Sequence, residues 1–459
     1  VTTSNGIYFN QGFLRVKRNK STKASDVSAL GNLTAPHRQF SWLVVGGVTL
    51  LIGTLVALLG GRQIWAFQHW KQARAALEQG EVEGALRLLQ ECREIWPDDP
   101  QTSRQIARAY RLAGRLADAQ RFLKIARVQG LDDETATLES QLIEAATPEF
   151  ARVEAELRRH IETGHSERND VFYALVQGYL RQGRAEEAEQ IATQWMTSVP
   201  NDWRPYFYRA AARTQLSRDL LSTAFAGAKE DYERCIQLKP DHAPTRLLLG
   251  NAYLMTGHFD KALPHLEEYV RLKPDDPAGV AELARALRGL ARGQEARQRI
   301  DEFLSRRGGN VAMYLIRGDL AMDDGQAPEA LTWYHRAEAL APHEERVIFQ
   351  MAQALRAVGR SDEAQKYEKR WQDRRDLTNK LQEAQKRAAL SPKDIEAHHE
   401  VGKTALVLGQ ESLGLRWLAE ALKLDPNHRE THRVLAEFFQ QKGDRAAAEF
   451  HRRRAEARP

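Results

Sequence analysis

The sequence predicts an all-α chain, a solenoid of about eleven stacked helical hairpins preceded by a single transmembrane helix. Three observations lead there. Small residues recur at a step of 34: Ala262, Ala296, Ala330 and Ala364 form one series, and Gly250, Ala284, Gly318 and Ala352 form another. Prolines keep the same frame, with Pro240 and Pro274 one step apart and Pro342 two steps beyond. An unbroken apolar stretch, Trp42–Leu59, precedes the repeats. A period near 34 with two small positions and a terminal proline describes a helix–turn–helix unit. The small residues let paired helices approach, and the proline stops the second helix.

Composition fits an array better than one core. A single core for 459 residues would be unusual, whereas stacked repeats grow without one. Charged residues make up 28% and are interleaved in sign, as on solvated helix faces. A net charge of +5 at this length gives no warrant for a nucleic-acid partner. Cys92 and Cys235 make no disulfide framework. Each falls at a small-residue position of a second helix, which predicts buried structural thiols.

Residues 1–41 are rich in Ser, Thr, Asn and Gly and cannot bury enough apolar surface to fold alone. They read as a basic, low-structure tail. Every residue from Trp42 to Leu59 is apolar, Gly or Thr. As a helix this stretch rises about 27 Å, enough for most of a hydrocarbon core. The predicted span is 42–60, with Trp42 at one interface and Trp65 and Phe67 at the other. A cleaved signal peptide would carry a shorter region ahead of its apolar part. Arg15, Lys17, Arg18, Lys20, Lys23 and Arg38 precede the span against one acid, Asp26; Arg62, Lys71 and Arg74 follow it. Positive charge stays on the cytoplasmic side. The expected location is therefore a bacterial inner membrane, with the tail cytoplasmic and the repeats periplasmic. Thr49, Gly53 and Ala57 share one helical face and form a small-residue ridge suited to packing another membrane helix.

The repeats follow in order. Units 66–99 and 100–131 carry Gly80 with Ala85 and Gly114 with Ala119. Residues 132–168 keep helical spacing without the Gly–Ala signature and read as a degenerate pair. Asn169–Asp202 restores the signature through Tyr179, Gly183 and Ala188. The central block, 169–392, holds an insertion near 217–227 and a long charged helix near 361–390, expected to protrude. Residues 395–459 close the array. Their final helix bears Arg452, Arg453 and Arg454, a polar end that suits a solvating cap.

With Gly250, Tyr253, Gly257, Ala262 and Pro274 in one unit, the pattern resembles the tetratricopeptide repeat family. It departs from it at Arg246, where a tryptophan is usual. The resemblance implies a right-handed superhelix whose first helices line a concave groove. Projected onto this frame, the groove offers Tyr173, Phe207, Tyr208, Leu247, Leu248, Asn251, Leu254 and Met255, then Leu315, Ile316, Met322 and Phe349. Asn251 would bond a ligand backbone. A basic patch of Lys71, Arg74, Arg104, Arg108 and Arg111 is expected nearer the membrane. The two-carboxylate clamp of the family's chaperone-binding members is not matched, since Leu247, Glu282, Ala312 and Ile316 stand at its places.

Catalytic signals are few. Ala397–Thr404 imitates a phosphate-binding loop, but Ala397 replaces its first glycine and no strand leads in. His398 and His432 occupy equivalent positions and could approach each other, yet no compact ligand set completes a metal site. No cofactor, small-molecule substrate or enzymatic role is expected. The sequence points to a membrane-anchored scaffold that binds other proteins through its groove, as a subunit or assembly factor of an envelope complex. The competing expectation is a periplasmic adaptor of a polysaccharide export or secretion system.

Overall fold

The computed structural model describes residues 60–163, 167–217 and 223–456. The tail 1–41, the apolar stretch and its Thr49–Gly53–Ala57 ridge lie outside these residues, as does part of the 217–227 insertion. Among the described residues the chain is all α with no strand, and no helix is long and apolar enough to cross a membrane.

The chain forms two compact units, Val1–Ala136 and Thr137–Pro459. The first contains helical residues 60–79 (α1), α2 (Val82–Ile95), α3 (Pro100–Leu112) and α4 (Leu116–Val128); α5 (Asp133–Ala145) spans the boundary. The second continues with a 3-10 turn (Pro148–Arg152), α6 (Glu154–Glu162), α7 (Arg168–Arg181), α8 (Ala185–Ser198), α9 (Trp203–Leu216) and α10 (Thr223–Leu238). Then come α11 (Ala243–Met255), α12 (Phe259–Leu272), α13 (Pro277–Gly289), α14 (Gly293–Leu304), α15 (Val311–Asp323) and α16 (Ala327–Leu340). The last six are α17 (Glu345–Ala357), α18 (Ser361–Leu390), α19 (Ile395–Val407), α20 (Glu411–Leu424), α21 (Arg429–Gln441) and α22 (Arg445–Glu456).

Within the second unit each helix from α6 onward packs on its neighbours in sequence, and first helices touch across hairpins, as α11 does α13 and α13 does α15. Local chemistry explains the boundaries. Asp99, Asp202, Asp276, Asn310 and Asp394 cap first helices by accepting from backbone N–H groups two or three residues on. The turns between paired helices use a left-handed residue, for instance Gly257 at φ 74° and Gly325 at φ 72°. Ala291, midway between them in the 34-residue frame, adopts φ 59° despite its Cβ.

The alanines of the repeat are the contact points. Ala85, Ala119, Ala188, Ala262, Ala296 and Ala330 are fully buried. Gly318 accepts an even closer approach: a Cβ there would stand 2.3 Å from the Tyr334 ring. Arg246 takes the place of the usual tryptophan by latching the preceding turn, donating to the Pro240 carbonyl from Nη2 at 2.8 Å. Cys92 and Cys235 are buried thiols, pushed up to about 11 and about 12 by burial.

Two segments differ from expectation. In the degenerate stretch the 3-10 turn inserts Phe150 edge-on against Tyr179, ring centroids 5.2 Å apart. The long charged helix does not protrude. The first part of α18 pairs with α17, and its last part buries Leu381, Ala384 and Ala388 against Val401, Ala405 and Leu408 of the following hairpin.

Candidate partner-binding groove

The residues expected to line a groove from Tyr173 onward lie on first helices of the second unit, and two stretches of them are chemically unlike. Along α7 and α9 an aromatic ladder runs from Tyr173 to Tyr208 (5.5 Å) to Phe207 (5.0 Å), and on to His242 (5.1 Å). All three expected residues there are half-buried. Burial holds the Tyr208 hydroxyl well above its ordinary value. His242 lies under Trp203 at 4.2 Å and is driven down to about 4, chiefly by burial.

On α11, the large apolar side chains of Leu248 and Met255 are 37% and 57% exposed. Asn251 sits between them, and its Oδ1 is buried and accepts no hydrogen bond. A buried amide oxygen left without a donor is costly. Further along, Phe349 is 37% exposed and leans on Trp371 at 5.3 Å.

Other expected groove residues are corrected. Leu254, Leu315 and Ile316 are buried among neighbouring helices and present no usable surface. Leu247 and Met322 are half-buried and pack against the core clusters of adjacent hairpins. Leu254 and Ile316 belong to one core cluster with α12–α14, and Leu315 to the next one with α16–α18. The basic patch is also reduced. Lys71 and Arg74 are exposed, but Arg104 and Arg111 are buried and Arg108 is half-buried.

Sequence reasoning missed an ionic cluster spanning α13, α15 and α17. Asp319 is 1% exposed. It accepts from Tyr334 Oη, Gln350 Nε2 and Arg346 Nη2, each at 2.8 Å, and from Arg288 Nη1 at 3.2 Å. Arg288 also reaches Asp323 through Nη2 at 2.8 Å. Burial and the Asp319 carboxylate hold the Tyr334 hydroxyl far above its ordinary value. Beside this cluster Arg285 Nη1 lies 3.0 Å from Glu282, whose carboxyl burial raises. The available signal was the 34-residue series itself: Asn251, Arg285 and Asp319 are equivalent positions carrying an amide, a cation and an anion.

No group of three or more His, Cys, Asp or Glu that could hold a metal ion forms among the described residues. Ala397–Thr404 lies inside α19 and makes no loop. His398 and His432 have separate partners: His398 Nδ1 lies 2.7 Å from the Asp394 carbonyl, and His432 Nδ1 lies 2.8 Å from His451 Nδ1. His399 and His428 both meet Thr431 Oγ1, at 3.0 and 2.7 Å.

Stacked hairpins closed by buried alanines define a helical-repeat protein. Tetratricopeptide-repeat family models match parts of the chain: one matches residues 76–142 and 220–279, a second 282–345 and a third 171–194. No curated protein sequence matches the chain. Similar solved structures include MamA protein, 20% identical, covering 37% of this chain and 90% of that one at TM-score 0.31. A tetratricopeptide repeat protein from Parabacteroides merdae ATCC 43184 is 13% identical, covering 63% of this chain and 99% of that one at TM-score 0.31. YrrB, described as a TPR protein with an unusual peptide-binding site, is 17% identical, covering 44% and 96% at TM-score 0.26. The fold is that of a protein–protein interaction scaffold.

Proposed function

We propose that this chain is a membrane-anchored scaffold, a subunit or assembly factor of a multiprotein complex in a bacterial inner membrane. Its tail lies in the cytoplasm and its repeats in the periplasm. The anchor is the Trp42–Leu59 stretch, and the excess of Lys and Arg before it supports the orientation. Tethering confines the groove to the membrane surface and raises the local concentration of partners held there. Partners are proteins, other subunits of the complex, and the chain acts by binding them rather than by catalysis.

One observation carries the groove reading: Leu248 and Met255 are exposed on either side of an unpartnered amide oxygen on Asn251. Large apolar side chains held exposed at successive turns of one helix suit a protein segment that brings apolar side chains of its own. The test is affinity capture of the full chain from detergent-solubilised membranes. A discrete set of membrane-complex proteins should co-purify and should be lost with Leu248→Asp and Met255→Asp together. An unchanged set would reject the groove, and an absence of co-purifying membrane proteins would reject the scaffold.

A further inference from the structure

The face of α1 outside the hairpin core is ordered in a way the fold does not use. Ala66, Ala73 and Leu77 are buried against the rest of the first unit. Ile64, at 62% exposure, and Phe67, at 50%, form a separate stripe with Lys71 and Arg74 at helical spacing. The stripe runs from apolar to cationic along the chain. Both cations fold back over rings, Lys71 Nζ 4.5 Å from the Phe67 centroid and Arg74 5.2 Å from that of Trp70. Phe67 and Trp70 also wall an open pocket of about 530 Å³ completed by Trp96 and Pro97 from the α2–α3 turn. Trp96 Nε1 donates to Gln63, which joins this turn to α1.

We infer that this first hairpin rests on the bilayer surface. Ile64, Phe67 and the Trp70–Trp96 pocket sit where acyl chains meet headgroups, and Arg62, Lys71 and Arg74 meet the phosphates of anionic phospholipids. The inference rests on the anchored reading above. Four residues, 60–63, separate the end of the apolar stretch from Ile64. At full extension the five peptide steps span at most about 18 Å, so a span in lipid keeps this face beside lipid. Tryptophan, phenylalanine and snorkelling cations are the side chains that gain from such an interface. The stripe also gives Lys71 and Arg74 a role that the buried Arg104 and Arg111 do not share. Asp99 is occupied in capping α3, with Thr102 N 2.7 Å away. Exposed Asp98 on the pocket rim opposes anionic lipid, so Asp98→Asn strengthens the contact.

The test uses the full chain in phosphatidylcholine vesicles with and without phosphatidylglycerol. An environment-sensitive fluorophore is placed on one introduced cysteine at a time: Leu51→Cys, Gln68→Cys, Gln101→Cys and Val128→Cys. Cys92 and Cys235 are fully buried and stay unlabelled. Probes at 68 and 101 should be quenched by nitroxide-bearing lipids, more so with phosphatidylglycerol, and the probe at 128 by aqueous iodide only. Lys71→Glu with Arg74→Glu should abolish the phosphatidylglycerol dependence. Iodide quenching at 68 and 101 alongside lipid quenching at 51 would overturn the docking and leave the anchor standing. Iodide quenching at 51, 68 and 101 together would remove both.

Discussion

The α9–α11 and α13–α17 stretches of the groove share one repeat frame and present opposite surfaces. In the first, Leu248 and Met255 stand open beside Asn251. In the second, the equivalent series is closed by carboxylates and guanidiniums that satisfy one another around Asp319. A helical repeat thus fixes its backbone with alanines and glycines and leaves the groove positions free to be either self-satisfied or available. The ionic stretch satisfies its own polar groups, and the apolar stretch leaves Leu248 and Met255 exposed.

The strongest way to break this contrast is Asp319→Ala. It leaves Arg288, Arg346 and Tyr334 without their shared acceptor and should cost about 3–5 kcal/mol in urea unfolding. Partner capture through Leu248 should survive wherever the chain remains folded.

Acid should act next, and on the aromatic side. His242 ordinarily titrates at 6.5 and is held at about 4 in the fold. Below pH 6.5 the unfolded chain takes up a proton that the folded chain refuses. Stability present above 6.5 is therefore lost as pH falls toward 4, by about 3 kcal/mol at most. Burial also lowers His399 and His451, which adds loss of the same sign at the carboxy-terminal hairpins. Urea midpoints measured across this range should fall with pH, and His242→Gln should flatten the curve.

A paired glycine test sharpens the comparison. Gly250→Ala meets the flexible end of Leu266 at 2.7 Å, whereas Gly318→Ala meets the Tyr334 ring at 2.3 Å, a ring tethered to Asp319. The second substitution should cost about 1–3 kcal/mol and the first less, read as a difference in thermal midpoints. The smallest stability effect belongs to Leu248→Asp with Met255→Asp. Both sites are exposed, so each change should stay within about 0.5 kcal/mol while partner capture is lost.

The repeat frame was legible because it depends on residues the backbone demands: Ala262 and Ala296 at helix contacts, Gly257 in a left-handed turn, Pro274 at a helix end. Of the expected groove residues, Leu248, Met255 and Phe349 are exposed. Leu254, Leu315 and Ile316 lie on the expected helices, but their exposure depends on how neighbouring helices pack around them, a tertiary quantity absent from spacing. The Asp319 cluster joins residues from 15 to 31 positions away. Sequence showed its charges without showing which of them would meet. The same limit applied to Arg104 and Arg111, which read as surface cations until packing buried them.

Helix α18 carries a mechanical consequence. Thirty residues of continuous helix extend about 45 Å, engaging α17 at one end and α19 at the other, with no buried side chain between Ala364 and Leu381. Such a strut transmits torsion. Removing one residue from its middle would rotate the last two hairpins by about 100° about its axis, whereas removing seven would nearly restore their phase and shorten the arm by about 10 Å. The orientation of the carboxy-terminal hairpins is thus set by a residue count, and the contacts that a change of length would have to remake are Trp371 against Phe349 and Arg374 donating to the Leu408 carbonyl.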